Sequence, residues 1–151
     1  MIKDKAMVAA IMNPPFSIRG EKAGLKDMGT TTAALGAYQG SSAFVLREWG
    51  KANADTVVNY IQAYIEGWRW CFDPKNKAEA VALLVERLKL PEDIATAAFE
   101  GTKNDFHRDG AIDMAGVNNV LKLRAQFEGG TPASPDKYLD LSFYQKALAG
   151  L

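Results

Sequence analysis

The sequence lacks most of the features that identify a function directly. Its single cysteine, Cys71, cannot form a disulfide within the chain, so thiol content does not reveal the cellular compartment. Its single histidine, His107, is distant from that cysteine in the sequence, and no pair of soft ligands has zinc-site spacing. Eighteen basic side chains balance eighteen acidic ones, which argues against a general nucleic-acid binder. No apolar run approaches the roughly 20 residues that a membrane-spanning helix needs.

Motifs for catalysis and for phosphate binding are also missing. The chain contains no Gly-x-Ser-x-Gly elbow, no P-loop and no Gly-x-Gly-x-x-Gly. Cys71 lies between Trp70 and Phe72, where a buried and unreactive thiol is expected. His107 falls in a polar stretch, 104–110, and is expected to be a solvated loop residue. We therefore predict that the protein is not an enzyme and that it uses no cofactor and no metal.

The residues that are present indicate a folded domain with few strands. Hydrophobic residues make up 48% of the 151, which is typical of a globular protein and argues against disorder. Length alone favours one domain. Two apolar segments fit strands, namely 6–12, which Asn13-Pro14-Pro15 stops and whose alanines also allow a helix, and 42–46, which follows two glycines. Both lie in the first third of the chain.

The rest of the chain favours helices. Pro15 and Gly24 bound a predicted short helix over 16–23, and apolar residues at helical spacing predict a long helix over 53–72. Four more helices are expected after it, with inward faces that include Ile94, Ala97 and Ala98 in the second and Val117 to Phe127 in the third. Segments 30–36 and 131–137 are expected to be connections. The predicted helix starts are Pro15, Asn53, Asn76 in a capping box with Glu79, Pro91, Asp113 and Ser142. The predicted fold class is α/β and helix-rich, and its helices should require a sheet from outside the chain.

Two short segments carry side chains that suit a ligand-binding site. Segment 12–16 ends a predicted strand at Asn13-Pro14-Pro15, and ligands of open α/β sheets lie beyond the carboxyl ends of strands. Segment 38–42 begins with Tyr38 and Gln39 and combines aromatic with polar groups, as ligand clefts do. Each segment also has a purely structural explanation, a proline stop for the first and an ordinary entry into a strand for the second. The sequence leaves these alternatives open.

The order of these features resembles the C-terminal part of bacterial ABC-transporter substrate-binding proteins of the type 2 periplasmic-binding fold. Within that family it is most similar to the branch for thiamine-pyrimidine precursors, alkanesulfonates, taurine and nitrate. The resemblance runs through nearly the whole chain and rests on the order of its motifs. They are AMVAAIMNPPF at 6–16, YQG at 38–40, FVLREW at 44–49, FHRDGAID at 106–113 and YLDLSF at 138–143.

The resemblance implies a partial lobe of a two-lobed protein that closes over its ligand. Residues 1–40 would end one lobe and cross over, and 41–151 would form the helical C-terminal part of the other. Asn13, Pro14 and Phe16 would line the cleft from one side, and Tyr38 with Gln39 would approach the hinge. The ligand would be a small polar or anionic organic molecule, the partner an ABC permease, and the location the periplasm. The chain would then be a C-terminal fragment.

Two further expectations concern assembly and targeting. Because helices without their sheet expose apolar surface, we expect self-association as a homodimer or by domain swapping. The first residues, Met1–Lys5, carry charge, but the apolar stretch after them is short, so the sequence does not predict a signal peptide. The alternative to solute binding is a helical protein-interaction domain with no small-molecule site, which predicts no concave site near Asn13 and Tyr38.

Overall fold

The computed structural model describes residues 6–103, 105–107 and 109–151, and every regular element within them is helical. The α-helices are α1 (Phe16–Lys22), α2 (Thr31–Leu35), α3 (Arg47–Ala52), α4 (Ala54–Cys71), α5 (Lys77–Leu88), α6 (Glu92–Thr102), α7 (Met114–Glu128) and α8 (Ser142–Ala149). Pro74–Asn76 and Pro135–Lys137 form 3₁₀ turns. Residues 1–5, where the sequence predicts no signal peptide, and Asn104 and Arg108 of the predicted polar loop lie outside the described residues.

The predicted α/β fold is wrong, because no strand occurs in the part of the chain that the structure describes. The two predicted strands, 6–12 and 42–46, lie outside any helix or sheet, and we call them the two apolar segments. Their side chains are exposed, as Ile11 (87%) and Phe44 (94%) show. Composition favours strand geometry in both segments, but a strand exists only through hydrogen bonds to a neighbouring strand. Neither segment has that neighbour among the described residues.

Most of the predicted helices are confirmed. The structure contains the helix predicted over 16–23, the long helix that follows Asn53, and the four later helices. Two short helices were missed. Residues 31–35, predicted as part of a connection, form α2, and its start is capped by Thr30, whose Oγ1 accepts a hydrogen bond from the Ala33 N–H at 3.1 Å. Residues 47–52, directly after the second apolar segment, form α3.

Of three predicted helix caps, the one at Asp113 is confirmed and those at Asn53 and Asn76 are wrong. Asp113 caps α7 as predicted, because its carboxylate accepts from the Ala115 N–H at 2.9 Å. Asn53 and Asn76 instead use their amide groups as donors, to the carbonyls of Trp49 (2.9 Å) and Trp70 (3.0 Å). The predicted capping box at Asn76 is therefore wrong.

At α8, the cap differs from the prediction by two residues. The carboxylate of Asp140 accepts from both the N–H and the hydroxyl of Ser142, at 3.0 and 2.7 Å. Ser142 is the first residue of the helix, not the residue that caps it.

The described residues divide into two compact units, each built from two stretches of the chain. The first unit combines the described parts of Met1–Met28 and Trp70–His107, and the second combines those of Gly29–Arg69 and Arg108–Leu151. The chain therefore passes from one unit to the other three times. The lobes that the resemblance implies, 1–40 and 41–151, stay a prediction.

The first unit is organised around α5 and α6. The turn between these helices is made by Lys89, which has a left-handed backbone (φ 52°), and by the buried Leu90. Ile18 of α1 packs against the same core. The predicted inward face of α6 is partly wrong, since Ala97 is exposed. The buried residues of this core are Ala80, Val81, Leu90, Ile94, Ala95 and Phe99.

The second unit has fewer buried side chains. Ile65 of α4 and Ala147 of α8 are fully buried, and Leu121 of α7 is nearly so. The side-chain amide of Gln62 donates to the Ala147 carbonyl at 3.2 Å and ties α4 to α8. At the end of α7, Phe127 is 89% exposed, so the apolar face predicted for that helix does not extend to its last turn.

Candidate functional site

The predicted ligand residues at 13–16 form the turn that starts α1 in the first unit. The carbonyl of Asn13 accepts hydrogen bonds from the N–H groups of Phe16 (2.9 Å) and Ser17 (3.2 Å). Pro14 and Pro15 are half-buried, and proline fits here because a first-turn residue needs no N–H donor. The Asn13 carbonyl therefore already binds two of the N–H groups at the start of α1, which is a helix of seven residues. What this turn offers a ligand is the exposed side chains of Asn13 and Phe16.

The predicted ligand residues at 38–39 lie in the second unit, where the segment after α2 runs along the start of α7. The side-chain amide of Asn119 donates to the carbonyls of Leu35 (2.6 Å) and Ala37 (2.9 Å). One turn earlier on α7, Gly116 is buried against the backbone of Tyr38 and Gln39. We call residues 35–39 the docked segment.

Gln39 is committed to holding the docked segment in place. Its Oε1 accepts from the Asp113 N–H at 3.0 Å, and its Nε2 donates to the Ser41 carbonyl at 2.6 Å. Both ends of the amide are thus used within the protein, and the side chain is half-buried. Of the two residues predicted here, Tyr38 is the one with a side chain available to a ligand, since 39% of it is exposed.

The predicted residues are divided between the two compact units. Asn13, Pro14 and Phe16 belong to the first unit, whereas Tyr38 and Gln39 belong to the second. Gly116 and Asn119 fix the docked segment and were not predicted from the sequence. Gly116 and Asn119 follow the predicted cap Asp113 by three and six positions, so each of the three neighbours the next on the helix surface. That spacing is the one signal that could have indicated them.

Reactive groups are not concentrated in either unit. Partial burial raises the pKa of the Cys71 thiol, which keeps it protonated and unreactive near neutral pH. His107 is exposed. No group of three or more metal-ligating side chains occurs within 6–103, 105–107 and 109–151. None of the helices in those ranges is both long enough and apolar enough to cross a membrane.

Two acidic residues of α6, Asp93 and Glu100, have partners on the surface of the first unit. Lys22 of α1 forms an ion pair with Asp93, which lowers the pKa of that carboxyl. Glu100 bonds to Lys103 and Lys77, and these bonds lower its pKa from 4.5 to about 2. These carboxylates border an open depression on α6, and their ion pairs account for them without a ligand.

Compared with protein-family models, with curated proteins and with solved structures, the chain matches none. The resemblance to ABC-transporter substrate-binding proteins consequently rests on the sequence motifs alone and stays a prediction.

Proposed function

We propose that the chain is the C-terminal part of a solute-binding component of an ABC-type uptake system. Its ligand would be a small polar or anionic organic molecule, and its partner a permease in the membrane. The proposal includes a periplasmic location, which follows from the same resemblance. It includes no catalytic step, in keeping with the absence of catalytic motifs from the sequence.

The observation that carries this proposal is the division of the described chain into two compact units with three chain crossings. Proteins that bind solutes by a hinge motion are built from two such bodies, because the ligand shifts an equilibrium between arrangements of rigid parts. The presence of two compact units among the described residues therefore favours the proposal, while the choice of family still rests on the motifs.

A second support is an exposed aromatic ring on a fixed turn in each unit. Phe16 is 63% exposed and follows the turn closed by the Asn13 carbonyl. Tyr38 is 39% exposed and lies within the docked segment. Ligand sites combine apolar walls with a few hydrogen-bonding groups, and the Tyr38 hydroxyl can both donate and accept.

The test is a thermal-shift and calorimetric panel on the purified chain with nitrate, taurine, a longer alkanesulfonate and an aminopyrimidine. A ligand present at about 100 times its Kd stabilises the protein by about 2.7 kcal/mol. For a chain of this length that corresponds to a rise in Tm on the order of 5–10 °C. Absence of a shift with every compound would contradict the proposal.

Two matched variants locate the binding residue. We expect Tyr38→Ala to abolish the ligand-induced shift, because the ring is the exposed part of the docked segment. Tyr60→Ala is the control, since Tyr60 is 59% exposed in the same unit and stacks on Tyr64. Equal loss of binding in both variants would show that Tyr38 has no specific role.

A helical protein-interaction domain is the second candidate, and the exposure of the two apolar segments favours it. Val8 and Ile11 are 89% and 87% exposed in one segment, and Phe44 and Leu46 are 94% and 81% exposed in the other. Segment 42–46 carries no charge, so two copies can lie side by side without repulsion. Uncharged segments of strand-forming residues pair readily with identical ones. The partner in this candidate is a second copy of the chain.

Light scattering after size-exclusion chromatography tests this second candidate. We expect a mass that exceeds the 16.4 kDa of the chain and rises with concentration. Phe44→Lys should return the mass to that of one chain, whereas Phe127→Lys, which alters an equally exposed ring on α7, should not. A wild-type protein that stays monomeric at all concentrations would rule this candidate out.

A further inference from the structure

We propose that Asn119 and Gly116 of α7 are positioning residues that fix Tyr38 for ligand binding. The inference rests on the proposed solute-binding function and deepens it by naming residues outside the predicted site. It assigns Gln39 to the same positioning role, in place of the ligand contact that the resemblance implies.

Three points on one face of α7 hold the docked segment. Asp113, which caps α7, and Gly116 and Asn119 within it follow each other at intervals of three residues, so each neighbours the next on the helix surface. The first holds the Gln39 side chain through its N–H, the second is packed against the backbone of 38–39, and the third binds the carbonyls of 35 and 37. The docked segment therefore runs antiparallel to the start of α7.

Asn119 supplies two hydrogen bonds to the docked segment. Both carbonyls that it binds come from the turn at which α2 ends, where Gly36 has a left-handed backbone (φ 78°). A turn of this kind offers carbonyls that the helix can no longer satisfy, and one side-chain amide with two hydrogens can bind two of them. No other residue type of this size provides two donors without charge.

Gly116 allows the docked segment to approach the helix closely. A Cβ at this position would lie 2.7 Å from the Gln39 nitrogen and 3.0 Å from the Tyr38 carbonyl carbon. Both are backbone atoms, so they cannot give way as the end of a side chain would. Only glycine therefore permits this contact, and the contact sets where the Tyr38 backbone lies.

The consequence for binding is that Tyr38 is held on both sides before a ligand arrives. A residue already ordered in its bound position loses less entropy on binding than one on a free loop. If release of the docked segment left Tyr38 in place for one tenth of the time, the apparent Kd would rise tenfold. Asn119 would thus control affinity without touching the ligand.

The experiment compares ¹⁵N relaxation and ligand affinity in wild type, Asn119→Ala, Asn119→Asp and Asn118→Ala. Asn119→Asp keeps the size of the side chain and removes both donors. Asn118→Ala is the matched control, because the amide of Asn118 bonds to the Met114 carbonyl within α7. Affinity is measured for whichever compound of the nitrate, taurine, alkanesulfonate and aminopyrimidine panel shifts the wild-type Tm.

In both Asn119 variants we expect the order parameters of 37–39 to fall from about 0.85 to below about 0.6, and affinity to weaken about tenfold. Asn118→Ala should match wild type in both measurements. Unchanged order parameters in the Asn119 variants would overturn the inference, even if affinity fell. If no panel compound binds wild type, the proposed function fails, while the order parameters still decide whether Asn119 positions the segment.

Discussion

Replacement of Gly116 by alanine is the sharpest test of how the second unit is packed. The added methyl group would meet the Gln39 nitrogen at 2.7 Å, the Tyr38 carbonyl carbon at 3.0 Å and the Asp113 Oδ2 at 3.2 Å. The first two are backbone atoms, so the docked segment must move away from α7. Such a movement also lengthens the bond between Gln39 Oε1 and the Asp113 N–H, now 3.0 Å.

Two opposing effects set the magnitude. Alanine in a helix is more stable than glycine by about 1 kcal/mol. Inserting a methyl group into a closely packed contact costs about 1–3 kcal/mol, and loss of the Gln39 bond costs about 1 kcal/mol more. The free energy of unfolding should therefore fall by about 1–3 kcal/mol. For a protein of this size, Tm should fall on the order of 5 °C.

Thermal unfolding followed by circular dichroism measures the change, with Gly67→Ala as the control. Gly67 lies within α4 in the same unit, and a Cβ there would have no heavy atom within 4 Å. Gly67→Ala should show the helix effect alone and raise stability by up to about 1 kcal/mol. If Gly116→Ala raised Tm as Gly67→Ala does, the docked segment would not lie against α7 as described.

Three perturbations of the first unit test its turn, its surface charges and its core. Lys89→Gly should raise Tm by about 1–3 °C, because glycine adopts the left-handed backbone at no steric cost; a fall would contradict that conformation. NMR titration should give Glu100 a pKa of about 2. Its pairs with Lys77 and Lys103 should therefore stabilise the fold fully above pH about 4.5 and weaken as pH falls towards 2. A measured pKa near 4.5 would show that the pairs do not form in solution. Phe99→Ala should destabilise this unit by about 3–5 kcal/mol in urea unfolding, and a loss under 1 kcal/mol would mean that the ring is not buried.

The longer helices could be predicted because their cores follow a local rule. Apolar residues at helical spacing indicated α4 and α6, and Ile65 and Ile94 are indeed buried. The same rule failed at Phe127, because periodicity shows which residues share a face and not how far along the helix a neighbour extends. Burial of that last turn depends on packing that the spacing does not contain.

The caps and strands could not be predicted for a different reason. An asparagine can donate or accept, and the side chains of Asn53 and Asn76 donate to a carbonyl of the preceding α-helix. Segment 42–46 has the composition of a strand, but composition cannot supply the second strand that a sheet needs. In both cases the outcome depends on what lies beside the residue in space.

The candidate site shows the same limit at Gln39. Its type and setting suggested a ligand contact, yet its amide is used by the Asp113 N–H, 74 positions away in the sequence. A bond between such distant residues leaves no local pattern. Tyr38 and Phe16 remain candidates because their rings are exposed, and exposure was not part of the prediction.

The two candidate functions are separated by the effect of a solute on the isolated chain, because self-association is expected of both. Covering a large apolar side chain contributes about 1.5–3 kcal/mol, so burial of Phe44 and Leu46 together would contribute about 3–6 kcal/mol. That is comparable with the whole stability of many domains, about 5–15 kcal/mol. If a second copy covers segment 42–46, Tm must rise with protein concentration. If the chain works by binding a solute, Tm must rise with the solute at fixed protein concentration, and that response must disappear with Tyr38.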